Sequence, residues 1–156
     1  MAKVPVPALE KISTCIVELD KIYPLGDIGI GTSEIVSFSG GTAEGVISGD
    51  ILPFGGDIGL LHDGNVNELN TKFVIAPEGI EKAEESCNIL VEITGKLILT
   101  EEEMMTVTEE DEYYYMQSVK MTTGNEKCKW LNDVVAIANS IIGPEGSVIT
   151  DIYVMR

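Results

Sequence analysis

Apolar and polar residues alternate with a period of two over much of this chain, and glycine, proline or asparagine stands at most of the points where the alternation stops. Val66–Ala76 shows the pattern best. Leu69, Thr71, Phe73 and Ile75 fall on one side, and Glu68, Asn70 and Lys72 on the other. Such alternation predicts a strand with one apolar and one polar face. Ala8–Ile22 reads as a first strand, with Leu9, Cys15, Val17 and Leu19 opposite Glu10, Glu18 and Asp20, although Ile12 and Ile16 break the alternation. Ser33–Phe38 and Gly45–Leu52 follow, separated by Gly40-Gly41, and then Asp57–Leu61 leads into an Asp63-Gly64 turn. Asn88–Leu99, Tyr113–Thr123, Asp133–Ile142 and Gly146–Met155 supply the rest, the last two as a hairpin over Gly143-Pro144-Glu145-Gly146.

Helix is scarce. Thr100-Glu-Glu-Glu103 fits a capping box, in which the threonine hydroxyl takes the amide three residues on and Glu103 reaches back. One or two helical turns are expected over Glu101–Val107, and another over Asn125–Asn132, which holds the only Trp. The reading is an all-β domain spanning residues 1–156, a small closed antiparallel β-barrel of about eight or nine strands with one or two short helical turns. A sandwich is the competing architecture.

Composition narrows the function. Twenty-six acidic residues against ten basic ones give a net charge of −16. Glu78–Glu112 carries twelve acids and two lysines. Such a surface repels phosphate backbones and anionic membranes, so nucleic acid and membrane are excluded as expected partners. Met1-Ala-Lys-Val-Pro-Val-Pro7 lacks the apolar core of a secretory signal, and no apolar run is long enough to span a bilayer. Cys15, Cys87 and Cys128 are odd in number and widely spaced, which suits free thiols in a reducing compartment. The expected location is the cytoplasm. A small homo-oligomer is compatible with a barrel of this size.

Candidate chemistry is sparse. Gly40-Gly41 and Gly55-Gly56 lack the helix and the Lys-Ser/Thr of a phosphate loop, so they read as bends where a sheet curls to close. Asp57 follows the second pair and opens an apolar strand. Turned inward at a barrel mouth, it is a candidate acid or base, because burial opposes the charged form. Turned the other way, it caps turn amides. Lys72 is its candidate partner if the polar face of Val66–Ala76 lines the lumen. His62, the sole histidine, sits beside the Asp63-Gly64 turn and cannot build a zinc triad. Cys128, between Lys127 and Lys129, has neighbours that favour the thiolate. Tyr115, Trp130 and Asn132 are candidate pocket walls, apolar surfaces with a polar handle, and core positions otherwise. Glu101–Glu103 and Glu109–Glu112 lack the order of a calcium loop. No metal site or cofactor is expected.

Three segments taken together carry a family resemblance. The first is Gly40-Gly41-Thr42-Ala43-Glu44-Gly45 with Gly49-Asp50-Ile51-Leu52-Pro53, Gly55-Gly56-Asp57 and Asp63-Gly64. The second is Tyr113-Tyr114-Tyr115 followed by Thr122-Thr123-Gly124. The third is Trp130-Leu131-Asn132 with Asp151-Ile152-Tyr153-Val154. Their order and spacing resemble domain-of-unknown-function family 3237, an uncharacterised family of bacteria and fungi, from about Leu9 to Val154. The resemblance implies a compact antiparallel barrel, related in shape to barrels that bind or cyclise small organic molecules, and no established activity. Where the family shows an Arg-aromatic pair, this chain has Lys72-Phe73. Where it has Arg after the tyrosines, this chain has Met116-Gln117-Ser118. An anion-binding role carried by those arginines has no matching residue here, since lysine lacks the planar guanidinium fork.

Three functions remain: a barrel binding a small organic molecule in its lumen, a cofactor-independent isomerase, cyclase or hydrolase using Asp57, and an interaction protein with a filled core. They part on the direction of Asp57.

Overall fold

The computed structural model describes residues 2–78 and 87–156. Three acids of the Glu78–Glu112 run, Glu81, Glu84 and Glu85, lie outside the described residues. Nine strands form one antiparallel sheet: β1 (Leu9–Asp27), β2 (Gly31–Gly45), β3 (Gly49–Ile51), β4 (Gly56–His62), β5 (Val66–Pro77), β6 (Ile89–Ile98), β7 (Tyr115–Thr123), β8 (Ala136–Ile142) and β9 (Ser147–Met155). The sheet closes on itself. β1 pairs with β9 on one side and β2 on the other, and β5 meets β2 through β3 at one level and β4 at another. β3 and β4 act as one strand broken at Leu52–Gly55. Each strand therefore has a partner on both sides over part of its length, although the upper part of β1, from Leu19 to Asp27, pairs only with β2.

Two expected breaks are absent. β2 was expected to end at Phe38, with a new strand starting at Gly45, yet it runs through Gly40-Gly41 to Gly45. Of the expected Gly45–Leu52 strand, Gly45 closes β2 opposite Ser13 and Gly49–Ile51 forms β3. Gly40 and Gly41 have φ of 138° and 145°. A Cβ on Gly41 would collide with the backbone carbonyl of Ile16. The pair is glycine because β2 closely approaches β1 at Gly41 and β3 at Gly40, and the strand bends without ending. β1 likewise continues past Ile22 to Asp27, and its upper half forms a long hairpin with β2.

The ends of the ring differ. After β7 a 3-10 turn over Lys129–Asp133 sets Leu131 fully into the main core, with Trp130 packed partly against it. At the other end helix α1 (Glu101–Thr106) carries the expected capping box, Thr100 Oγ1 accepting from the Glu103 amide at 3.1 Å and Glu103 Oε1 accepting from the Thr100 amide at 3.1 Å. Met104 and Val107 pack there on a second cluster of Leu97, Leu99 and Tyr115.

A pair of glycine substitutions tests the closure. Gly41→Ala places a methyl against backbone at positive φ, and is expected to cost about 1–3 kcal/mol or more in denaturant unfolding. Gly59→Ala, on β4 at ordinary φ, meets only the Asp57 side chain and the Glu68 carbonyl within 4 Å. It is expected to change stability by less than about 0.5 kcal/mol.

Candidate functional site

Directly opposed residues on neighbouring strands share a face of the sheet. One row of such partners runs from Ile22 to Val36, Asp57, Thr71, Ile93, Val119, Ala136 and Val154. From Val154 to Ile93 the row is buried core. Thr71, Asp57 and Val36 are half-buried, and Ile22 is 61% exposed. The row begins inside the barrel and ends partly exposed on the upper halves of β1, β2 and β4, an end we term the barrel mouth. Asp57, the only ionisable residue in it, stands at the passage from one to the other.

The carboxylate is tied down on one oxygen only. Asp57 Oδ1 accepts from the Asn70 amide at 2.8 Å and from Thr71 Oγ1 at 2.9 Å. Both donors lie on β5 and neither is a turn amide. Oδ2 has no partner among the described residues, and a Cβ on Gly59 would stand 3.2 Å from it. Burial pushes the Asp57 carboxyl above its ordinary value of 3.8, and the two hydrogen bonds oppose that rise in part.

Tyr115 is the second polar group here. It is 8% exposed and lies in the row Thr32, Leu61, Asn67, Leu97 and Tyr115. Burial pushes its phenol upward, and the nearby Asp57 adds to the effect. Among the described residues nothing pairs with the Tyr115 hydroxyl, yet no fully buried side-chain nitrogen or oxygen there lacks a partner. The hydroxyl and Asp57 Oδ2 therefore both border open space. A separate groove of about 600 Å³ at the rim, between the β4–β5 turn and α1, is lined by residues including Leu61, His62, Asp63, Thr100, Glu101 and Met105, and neither Asp57 nor Tyr115 lines it. A second concavity, of about 580 Å³, involves mainly outer-face residues such as Lys96, Tyr114, Met116 and Ile137.

Deeper in the barrel, Gln117 Nε2 donates to Ser140 Oγ at 2.8 Å, and Ser140 Oγ lies 2.7 Å from Thr150 Oγ1. All three are buried. The sequence reading passed over this network. Its signal was a glutamine at an inward position, between Tyr115 and Val119 in a strand whose inward positions are buried throughout.

The remaining candidates stand elsewhere. Lys72 is on the outer face, level with Gly56 and Glu92, and its ammonium donates to Asn70 Oδ1 at 3.2 Å. Asn132 holds the end of β7, accepting from the Thr123 amide at 2.9 Å and donating to the Thr123 carbonyl at 2.8 Å. Trp130 lies beneath Arg156, 5.6 Å from the guanidinium carbon to the ring centre. His62 Nε2 sits 3.3 Å from Glu68, which also holds Lys96 at 2.8 Å. The Asp57 charge thus acts on Tyr115, which faces the same interior from another row, whereas Lys72, Trp130 and Asn132 stand elsewhere. Cys128 departs from expectation, because desolvation outweighs Lys127 and raises its thiol. Burial pushes Cys15 up to about 11.

With this geometry in view, the family comparison is decisive. The model of a family described as protein of unknown function (DUF3237) matches residues 7–155. The chain belongs to that family. A UPF0311 protein of Bradyrhizobium diazoefficiens is 24% identical over 131 residues, covering 83% of this chain and 84% of its own. A β-barrel-like protein from Acinetobacter baumannii superposes over all of both chains with a TM-score of 0.84 at 22% identity. An enzyme from Penicillium herquei also covers both chains completely, with a TM-score of 0.70 at 15% identity. At these identities the structural neighbours establish the fold that this DUF3237 member shares with them. No helix among the described residues is long and apolar enough to cross a membrane.

The Asp57 environment has a pH signature. Its folded-state pKa lies above the unfolded one, so the associated stability is full below 3.8 and is lost as pH rises through the raised value. Asp57→Asn does not titrate there. The variant is expected to have a higher denaturation midpoint than wild type at pH 7, with the difference shrinking as the pH falls towards 3. Parallel denaturant titrations across pH check this. A second readout is thiol chemistry: in the native protein at pH 8, Cys15 is expected to resist iodoacetamide and to react only after unfolding, as followed by mass spectrometry.

Proposed function

We propose that this protein binds a small organic molecule in the mouth of its barrel, with Asp57 as the polar anchor. The observation that carries the reading is the row from Val154 to Ile22, which leaves the core at a half-buried carboxylate with one oxygen unpartnered. A concave apolar surface with a few convergent polar groups is what small-molecule sites have in common. Ile22, Val36 and Leu61 supply the apolar part, and Asp57 and Tyr115 the polar part. The acidic composition argues against nucleic-acid partners, and three free thiols suit a reducing, cytoplasmic setting.

A second reading is a cofactor-independent isomerase, cyclase or hydrolase in which Asp57 moves a proton. It draws on the upward displacement of the Asp57 carboxyl, which brings a carboxylic acid closer to neutral pH, where acid–base catalysis is most effective. The Penicillium herquei enzyme shows that this fold carries catalysis in at least one protein, and fold alone is weak warrant for function. A filled barrel serving as an interaction protein is the reading least compatible with an unpartnered Oδ2.

A thermal-shift screen of small metabolites tests the proposal, because a ligand that binds only the folded state raises the midpoint. A hit is expected to stabilise wild type and to lose at least about tenfold in affinity, about 1.4 kcal/mol, in Asp57→Ala. Hits unaffected by that substitution would place binding elsewhere. Incubating each hit with the protein and following it by NMR separates the two readings, since an enzyme converts the compound and a binder returns it unchanged.

A further inference from the structure

The open face around Asp57 has a charge pattern that selects among ligands. Pro24, Glu34 and Gly59 are register partners in the row next to Ile22, Val36 and Asp57, and share their face. Glu34 is two residues from Val36 on β2, so its side chain is a diagonal neighbour of Asp57, at a spacing of roughly 7–8 Å for such pairs. The paired positions on this face are apolar at Ile22, Pro24, Val36 and Leu61 and acidic at Glu34 and Asp57. None is Lys or Arg, and the two cations adjacent in sequence to this face stand off it: the Lys21 backbone is bonded to the Ser37 hydroxyl, one residue from Val36 and so on the other face, and the Lys72 ammonium donates to Asn70 Oδ1 on the outside of the barrel. Tyr115, more than nine-tenths buried, adds a hydroxyl with no protein partner among the described residues.

We infer that the mouth takes an apolar molecule bearing a protonated amine, whose ammonium pairs with Asp57 Oδ2 and the Tyr115 hydroxyl oxygen, and that it rejects carboxylates and phosphates. This rests on the small-molecule reading above and adds the class of ligand to it. The physical reason is the unsatisfied oxygen. A half-buried carboxylate held by two donors on Oδ1 has lost water without gaining a counter-charge. An ammonium supplies that charge and three donors, against two available acceptors. A carboxylate ligand would bring a second negative charge beside Asp57 and Glu34 with no base to offset it. Charge-assisted hydrogen bonds of this kind are roughly twice as strong as neutral ones, which separates the amine from an alcohol of the same shape.

Three probes of matched shape test it: 2-phenylethylamine, 2-phenylethanol and phenylacetate, each titrated to millimolar concentration into the full ¹⁵N-labelled chain at pH 7. The amine is expected to shift the Gly59, Asn70 and Thr71 amides saturably, at least tenfold more tightly than phenylacetate, with the alcohol between them. Asp57→Asn is expected to abolish the preference and Glu34→Gln to reduce it, both with native-like spectra. Gly59→Ala, which crowds Oδ2 and keeps the charges, is expected to weaken the amine and alcohol alike. Equal binding of amine and acid at these amides would overturn the charge selection while leaving small-molecule binding in place. Amine shifts spread over the acidic surface and absent from these three amides would also overturn it. No shift at these amides with any probe would overturn both readings.

Discussion

Closure of the sheet rests on β2, which hydrogen-bonds to β1 along one side and to β3 and then β4 along the other. A strand serving three neighbours must bend, and β2 does so at Gly40-Gly41, where its backbone comes too close for a side chain to the Ile16 carbonyl of β1 and close to the Ile51 carbonyl of β3. Below the bend the ring is tight and its interior is Ile, Val, Phe and Ala. Above it β1 and β2 leave the ring as a hairpin, backed by β4. The break between β3 and β4 follows from the same bend, since no single straight strand can follow β2 through it. Removing the bend would return an open sheet with exposed edges, which is the state such proteins must avoid.

The mouth is therefore a consequence of how the barrel closes. A row of partners that is core on β6 to β9 becomes surface once it reaches the hairpin, and the residue at the boundary is Asp57. At this position a carboxylate is neither fully hydrated nor fully paired. Asn70 and Thr71 compensate one oxygen, so the group tolerates its desolvation, but the raised proton affinity shows that the compensation is incomplete. Glu68 makes the contrast. On the outer face its hydrogen bond with Lys96, and then that with His62, hold it below the ordinary carboxylate range, although it is half-exposed. Two donors hold each acid; burial and the neutrality of its donors, against the basic Lys96 and His62 beside Glu68, set Asp57 apart.

Much of this was legible in the sequence, and the exceptions share a cause. Period-two alternation located β5, β6 and β7, and the capping box located α1 to within a residue. Glycine misled the reading of β2, because the same residue marks a turn in one setting and a close strand approach in another. Asp57 stood out through the Gly55-Gly56 bend before it. Its partner did not, because register decides which residue of β5 lies opposite, and register depends on contacts across the whole ring. Parity alone already set Lys72 opposite Thr71. The alternation that made Phe73 inward made Lys72 outward, and a lysine in the lumen required the polar face of β5 to be the inner one. Gln117 was hidden for the converse reason: it occupies an inward position, and only Ser140 and Thr150 from other strands explain why a polar residue is tolerated there.

The charge of the whole chain and the charge at the mouth act over different ranges. A net charge of −16 creates a field that favours approaching cations, but over exposed residues that field decays within about 8 Å at physiological salt. Inside the mouth, water is partly displaced and screening is weaker, so Asp57 acts on a bound molecule more strongly than the same charge does on the surface. The distinction matters for specificity. The surface field favours cations of any kind, whereas, for the proposed ligand, Ile22, Val36 and Leu61 would add a requirement for apolar surface on the same molecule. On the proposed reading, a ligand meeting both conditions would offset the desolvation of Asp57 and bury the exposed apolar face of the hairpin in one step.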